Sequence, residues 1–188
     1  MQNPAHKIIQ FPGRFRRREE GAVAVEAIII LPMVFWSYLA MFSFFDAFRE
    51  YTNNQKAAYT ISDLISRQAT PLDNNFLDGT HQLFDTLTRP AEATSLRVSV
   101  VSYDLPTEIY SVIWSHTRGA MEPLETTDIT GWADRLPVMP DDDQIIVVET
   151  QANFNTFFNI GLGTRDINNF VFTRPRYASK LCWQEICD

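Results

Sequence analysis

Glu26 is the only charged residue in an apolar run that extends from Ala22 to Phe45. A carboxylate inside such a run costs roughly 2.5–3.5 kcal/mol at the centre of a membrane helix on insertion scales, and less near an end. Glu26 lies four residues after Ala22, close to the N-terminal end of the run. A carboxylate there either finds a cation to pair with or snorkels its head to the interface.

The other groups with chemical potential are weaker. Cys182 and Cys187, the only cysteines, could close a small disulfide or lend two thiolates to a metal. Two cysteines without two further ligands nearby make a poor zinc site. Asp141, Asp142 and Asp143 offer adjacent carboxylates to calcium. An EF-hand loop instead spaces its ligands alternately and ends in Glu, so these three read as a solvated turn. His116 beside Ser115 suggests a base and a nucleophile, but no G-x-S-x-G elbow surrounds them, and His116 reads as an exposed strand residue. His81 reads as a surface residue and His6 as a solvated one. Gly161 and Gly163 lack the third glycine and the following helix of a dinucleotide loop, and read as part of a connecting loop. No nucleophile, metal or cofactor motif remains. The chain reads as a non-enzyme with no cofactor and no metal site.

One long element positions Glu26. Arg14, Arg16, Arg17 and Arg18 precede the small pair Gly21-Ala22, and the apolar run follows. A bilayer needs about 20 apolar residues as helix, and this run supplies them. The segment from Asp46 to Gln68 contains no Pro or Gly, so the helix should continue from Ala22 to about Gln68, on the order of 70 Å at about 1.5 Å per residue. Phe44, Phe48, Tyr51, Gln55, Ala58, Ile61, Ser62 and Ile65 recur at spacings of three and four and predict one largely apolar face. Pro32 removes a backbone bond and predicts a kink that membrane helices tolerate. The aromatic stripe Phe35, Trp36, Tyr38, Phe42, Phe44, Phe45 and Phe48 suits either a lipid-facing surface or helix packing in a multimer.

Charge orients that helix. Up to Gly21 the chain carries Lys7 and four arginines against Glu19 and Glu20. The remainder carries the other eleven of the sixteen basic residues against twenty-one of the twenty-three acidic ones, within a net charge of -7. The basic flank stays cytoplasmic and the acidic domain lies outside. An acidic domain also argues against nucleic acid, since phosphate contact needs a basic face. At 188 residues there is room for one membrane helix and one domain of ordinary size. The spans predicted are 1–21 as a cytoplasmic leader, disordered over 1–13, 22–45 as a transmembrane helix, and 46–188 as an α+β domain.

Within that domain Asp73 can cap a short helix carrying Phe76, Leu77, Leu83, Phe84 and Leu87, weakened by Gly79 and stopped at Arg89-Pro90. Ser95 to Leu105 alternates as a strand with Leu96, Val98 and Val100 on one face, and Ile109 to Thr117 reads as its antiparallel partner. Met121 to Pro140 is irregular, with a short helix around Trp132 to Leu136. Gln144 to Phe154 is a strong strand. Phe170-Val171-Phe172 begins a last strand that continues through Arg174-Pro175-Arg176-Tyr177, with Pro175 placing it at an edge or a bulge. The fold class is α+β, a long N-terminal transmembrane helix extending into a small antiparallel sheet.

The basic flank, Gly21, Ala22, Glu26 and the apolar helix resemble a class III prepilin signal. With Val25, Ala27 and Pro32 added, the stretch is similar to the TadE/TadF-like pseudopilins of the Tad (Flp) pilus system, related to type IV pili. The match covers about a fifth of the chain. The resemblance implies a pilin-like fold and a bacterial inner-membrane location with the C-terminal domain in the periplasm. It also implies cleavage by a prepilin peptidase at Gly21/Ala22, and action in pilus assembly beside other pilin or pseudopilin subunits and Tad assembly components. Glu26 would pair with the α-amino group freed at Ala22, and in an assembly with that of a neighbour. In the oxidising periplasm a Cys182–Cys187 disulfide is the natural reading, tying down a terminus that would otherwise fray. The alternative is an uncleaved single-pass anchor carrying a periplasmic binding or sensing domain. The length of the mature N-terminus separates the two.

Overall fold

The computed structural model describes residues 19–90, 92–154 and 163–184, with the side chains of residues 19–22 excluded. His6, Gly161 and Cys187 lie outside the described residues. The chain divides into two compact units, one ending at Phe45 and the other beginning at Asp46.

The first element, α1, is a helix over Glu19–Ser66, 48 residues long. It begins three residues before Ala22 and ends two before Gln68, and helical backbone continues through Pro32. A helix, α2, follows over Asn74–Thr88. The sheet contains β1 (Ser95–Asp104), β2 (Ile109–Arg118), β3 (Asp143–Phe154) and β4 (Arg165–Thr173). Its order is β2-β1-β3-β4, and every neighbouring pair is antiparallel. A long apolar N-terminal helix and a small four-stranded antiparallel sheet make the fold α+β.

In the second unit, α1 buries a narrow stripe of Asn54, Ala57, Ala58, Ile61, Ser62, Ile65 and Ser66. The alanines let the helix backbone approach the sheet closely. The face expected from spacing holds only in part. Ala58, Ile61, Ser62 and Ile65 are buried, while Phe48 (71% exposed), Tyr51 and Gln55 face outward. At their level the buried stripe runs through Asn54 instead, one residue away from the aromatic face.

α2 is held at both ends as its sequence dictates. The Asp73 carboxylate accepts the Phe76 N–H at 2.8 Å, satisfying one of the orphan donors of the first turn. Arg89 adopts a left-handed conformation at φ 50° and donates its N–H to Asp85, ahead of Pro90. Leu77, Thr80, Phe84 and Thr88 are buried at helical spacing. Gly79 has no heavy atom within reach of an added Cβ and sits on the open side, so it leaves the helix unbroken.

Both faces of the sheet are covered. On one face Leu96, Val98, Val100, Trp114, Ile146 and Val148 share a core with Ala57, Ile61 and Ile65 of α1 and Leu77 and Phe84 of α2. On the other, Val101, Tyr103, Tyr110, Ile145 and Val147 pack beneath Leu124, Ile129, Leu136 and Met139. These last four come from the segment joining β2 to β3, which is irregular as its prolines dictate, apart from a 3-10 turn at Trp132–Asp134. The segment forms a third layer that strand and helix periodicity cannot reveal. Burial on both faces explains why Ile145 to Val148 is an unbroken apolar run.

The last strand differs from expectation at both ends. It begins at Arg165, pairing Arg165 with Phe154, so residues read as loop belong to the ladder. It ends at Thr173, before Arg174-Pro175-Arg176. Pro175 has no N–H for a ladder, and the Arg176 N–H donates to the Ser66 carbonyl at the end of α1 instead. β4 is an edge strand, as Pro175 implied.

Candidate functional site

Two places concentrate the residues singled out by the sequence. The first is the N-terminal part of α1. Gly21 and Ala22 lie in its first turns, and Glu26 follows one turn after Ala22 on the same helical face. Glu26 is exposed and makes no ion pair among the described residues. From Val23 to Tyr38 every described residue except Ala27 is exposed, including Ile28, Ile29, Leu31, Phe35 and Trp36. An apolar helix bare on all sides is unfavourable in water, because its surface has nothing to exclude solvent. The helix is long and apolar enough to cross a membrane. Pro32 lies inside this part.

The second place is a strap near the C-terminus. Leu72 donates its N–H to the Cys182 carbonyl at 2.9 Å and accepts the Gln184 N–H at 2.7 Å, which forms a parallel bridge between Leu72 and Trp183. The Trp114 indole donates to the Leu181 carbonyl at 2.9 Å, and the Leu181 N–H donates to the Gln144 side chain at 3.2 Å. Trp183 is only 4% exposed. It stacks on His116 at 3.6 Å between ring centroids and lies 5.6 Å from Trp114. Cys182 is disulfide-bonded. The strap thus closes the end of the core where α1, α2 and β2 meet.

His116 is therefore half-buried under Trp183, not exposed on the strand. Burial, reinforced by the Arg118 charge, lowers its pKa below the usual histidine value. The unfolded chain then holds the proton more readily than the folded one. Stability is complete above about pH 6.5 and is lost as pH falls through that value towards the lowered folded pKa. The expected result is a melting temperature that drops on acidification from pH 7.5 to pH 5.5, with a shallower drop in His116→Gln. An equal slope in both proteins would remove His116 from the account.

The remaining residues are structural. Ser115 points to the opposite face of β2 from His116. Its hydroxyl bonds the Ser99 hydroxyl at 2.8 Å and accepts the Leu124 N–H at 2.8 Å, so Ser115 and His116 do not pair as nucleophile and base. His81 is half-buried and bonds the Thr94 hydroxyl at 2.9 Å, and Thr94 donates to Asp85. Thr94 is 3% exposed, which puts its hydroxyl out of reach of a substrate. This chain ties α2 to the start of β1. The Asp141 carboxylate accepts the Leu105 N–H, Asp142 pairs with Lys180, and Asp143 pairs with Arg174 at 2.7 Å. Asp142 and Asp143 thus fasten the strap's approach to the sheet, and Asp141 holds the turn after β1. No cluster of three or more metal-ligating side chains occurs among the described residues.

The sequence offered little warning of the aromatic stack. Trp183 lies between two cysteines and Trp114 inside a predicted strand, and neither position marks a core residue. Their meeting depends on a chain return that no local pattern encodes. No protein-family model, characterised protein or solved structure matches this chain.

Proposed function

We propose that the chain is a minor pseudopilin of a Tad/Flp-type pilus. It is cut by a prepilin peptidase between Gly21 and Ala22 and acts in pilus assembly with other pilin or pseudopilin subunits and Tad components. It sits in the bacterial inner membrane with its N-terminus cytoplasmic and its α+β domain periplasmic. It is a substrate of catalysis and performs none. The observation that carries the reading is the small pair Gly21-Ala22, with Glu26 one turn after Ala22 and without an ion pair among the described residues, followed by an apolar helix bare on all sides. A plain anchor requires the apolar surface and has no use for a carboxylate at that offset. The test is mass spectrometry of the N-terminal peptide from purified membranes. A mature terminus at Ala22 supports the reading, and an intact Met1 in cells with an active peptidase sinks it.

Glu26 carries the assembly part of the proposal. Cleavage frees an α-amino group at Ala22 with an ordinary pKa near 8, largely cationic at neutral pH. Pairing it with a carboxylate, in the same chain or a neighbour, offsets part of the cost of holding each charge at the hydrocarbon edge. Glu26→Gln keeps the shape and removes the charge. Insertion and cleavage should persist, while co-purification with partner pilins falls by about tenfold, the effect of about 1.4 kcal/mol. Normal piliation at normal protein level would show that the carboxylate does no assembly work.

A further inference from the structure

The two edges of the sheet are not equivalent. The outer edge of β2 is engaged by the segment that follows it, since Val112 donates its N–H to the Thr126 hydroxyl. From Asp166 to Thr173 the outer edge of β4 receives no backbone hydrogen bond from elsewhere among the described residues. The edge from Asp166 to Thr173, with open N–H and C=O groups, is a template for another strand. Its outward face carries Asp166, Asn168, Phe170, Phe172 and, just past its end, Arg174. Phe172 is 43% exposed. Asp166 has no ion-pair partner among the described residues.

We infer that β4 pairs antiparallel with β4 of a second copy of this chain, with Phe170 on the twofold axis. An edge strand that pairs antiparallel with its own copy must lie on an axis perpendicular to the sheet. Each residue then meets one on the same face, and the axis residue fixes the register. With the axis at Asn169, Asp166 faces an apolar Phe172. With it at Asn168, Asp166 faces Phe170. With it at Val171, Asp166 would have to reach Arg176, which has left the line of the strand and is turned to α1, its N–H on Ser66 and its guanidinium on Asp63. With it at Phe170, Asp166 faces Arg174 of the second copy, and by symmetry this happens twice. The same register sets Asn168 against Phe172 and Phe170 beside Phe170, continuing the aromatic row in which Phe170 packs edge-on to Trp132 at 5.3 Å. Arg174 already pairs with Asp143, and a guanidinium has five N–H donors with which to hold a second carboxylate. Opposite charges directly across strands stabilise the pairing, and like charges oppose it. The inference rests on the sheet alone and requires neither cleavage nor a pilus.

The test uses the full chain in detergent and a short thiol-to-thiol cross-linker under non-reducing conditions, with the unsubstituted chain as control. Asn168→Cys and Phe172→Cys chains should cross-link when mixed. Asn168→Cys alone should not, because two copies of position 168 lie about 13 Å apart, four residues along the ladder. Cross-linking of Asn168→Cys with itself, or no cross-linking in the mixture, overturns the proposal. Adding Asp166→Arg to both chains should reduce the dimer about tenfold, since that carboxylate has no internal role to lose. Placing Asp166→Arg in one chain and Arg174→Asp in the other should restore it, because only the mixed dimer matches both pairs. A yield indifferent to these reversals overturns the register. In intact membranes, a photo-cross-linker at Phe172 that captures another protein and never a second copy overturns the choice of partner, and Asp166 is then a guard against edge pairing.

Discussion

On the proposed function, a Gly21→Trp chain should accumulate at full length in membranes that contain an active prepilin peptidase, while the unsubstituted chain should begin at Ala22. The peptidase must bring catalytic groups to a backbone carbonyl, and glycine is the residue that permits close approach from every side. An indole at this position blocks that approach without changing the apolar helix that inserts the chain. Processing should fall by at least about a hundredfold, on the scale of a misplaced scissile group, as read from the intact mass of the N-terminal peptide. Normal cleavage of Gly21→Trp would remove Gly21 from the recognition site. The cut also changes the helix that remains. On that proposal it would remove the first turn of α1 and leave an ammonium group at the positive end of the helix dipole, an unfavourable juxtaposition. Glu26, one turn along, is placed to offset it.

Trp183→Ala should cost about 3–5 kcal/mol, the range for deleting a buried large aromatic side chain. Domains of ordinary size have about 5–15 kcal/mol in total. The variant should therefore be partly unfolded near physiological temperature, and its chemical denaturation midpoint should fall sharply. The magnitude is set by burial at 4% exposure together with the stack on His116 and the contact with Trp114. Trp183→Phe retains much of the packing and should recover a good part of the loss. A second reading separates the stack from general damage. With the indole gone, the pKa of His116 should rise towards its ordinary value, which histidine ring resonances report in the folded fraction. A loss below about 1 kcal/mol would mean that the strap is dispensable to the core.

The parts of this fold that sequence reveals are those fixed by local physics. The apolar run from Ala22 to Phe45 announces a helix suited to a membrane. Asp73 announces α2, because a carboxylate in front of a helical apolar pattern has a capping donor to satisfy. The alternation of Leu96, Val98 and Val100 announces β1 and the face it turns towards α1. The parts that stay hidden are fixed by distant partners. Phe48 and Tyr51 share the heptad-like spacing of Ala58 and Ile65, but the face covered near them is the one that carries Asn54, and which face is covered is set by partners elsewhere in the chain. Leu124, Ile129, Leu136 and Met139 have no period, yet each finds the same apolar surface. β4 begins at Arg165 because β3 has residues left to pair, a fact about β3 that Arg165 and Asp166 do not carry themselves. His116 looked exposed because its cover arrives from Trp183, far along the chain. Of the candidate site, Gly21, Ala22 and Glu26 are legible as a pattern, and the strap is not.

The strap also sets the timing of the fold's completion during synthesis. Trp114 and Leu181, joined by a hydrogen bond, are 67 residues apart in sequence. Leu72 must wait longer still for Cys182 and Gln184. Until residues 181–184 have emerged, the core between α1, α2 and β2 lacks its closing side chain, and Leu72 and Trp114 lack their partners. Long-range closure of this kind is slow and leaves apolar surface open to other chains meanwhile. A nascent domain of this design depends on escort until its last strap arrives, and a ribosome that stalls before Leu181 releases a chain that cannot shut.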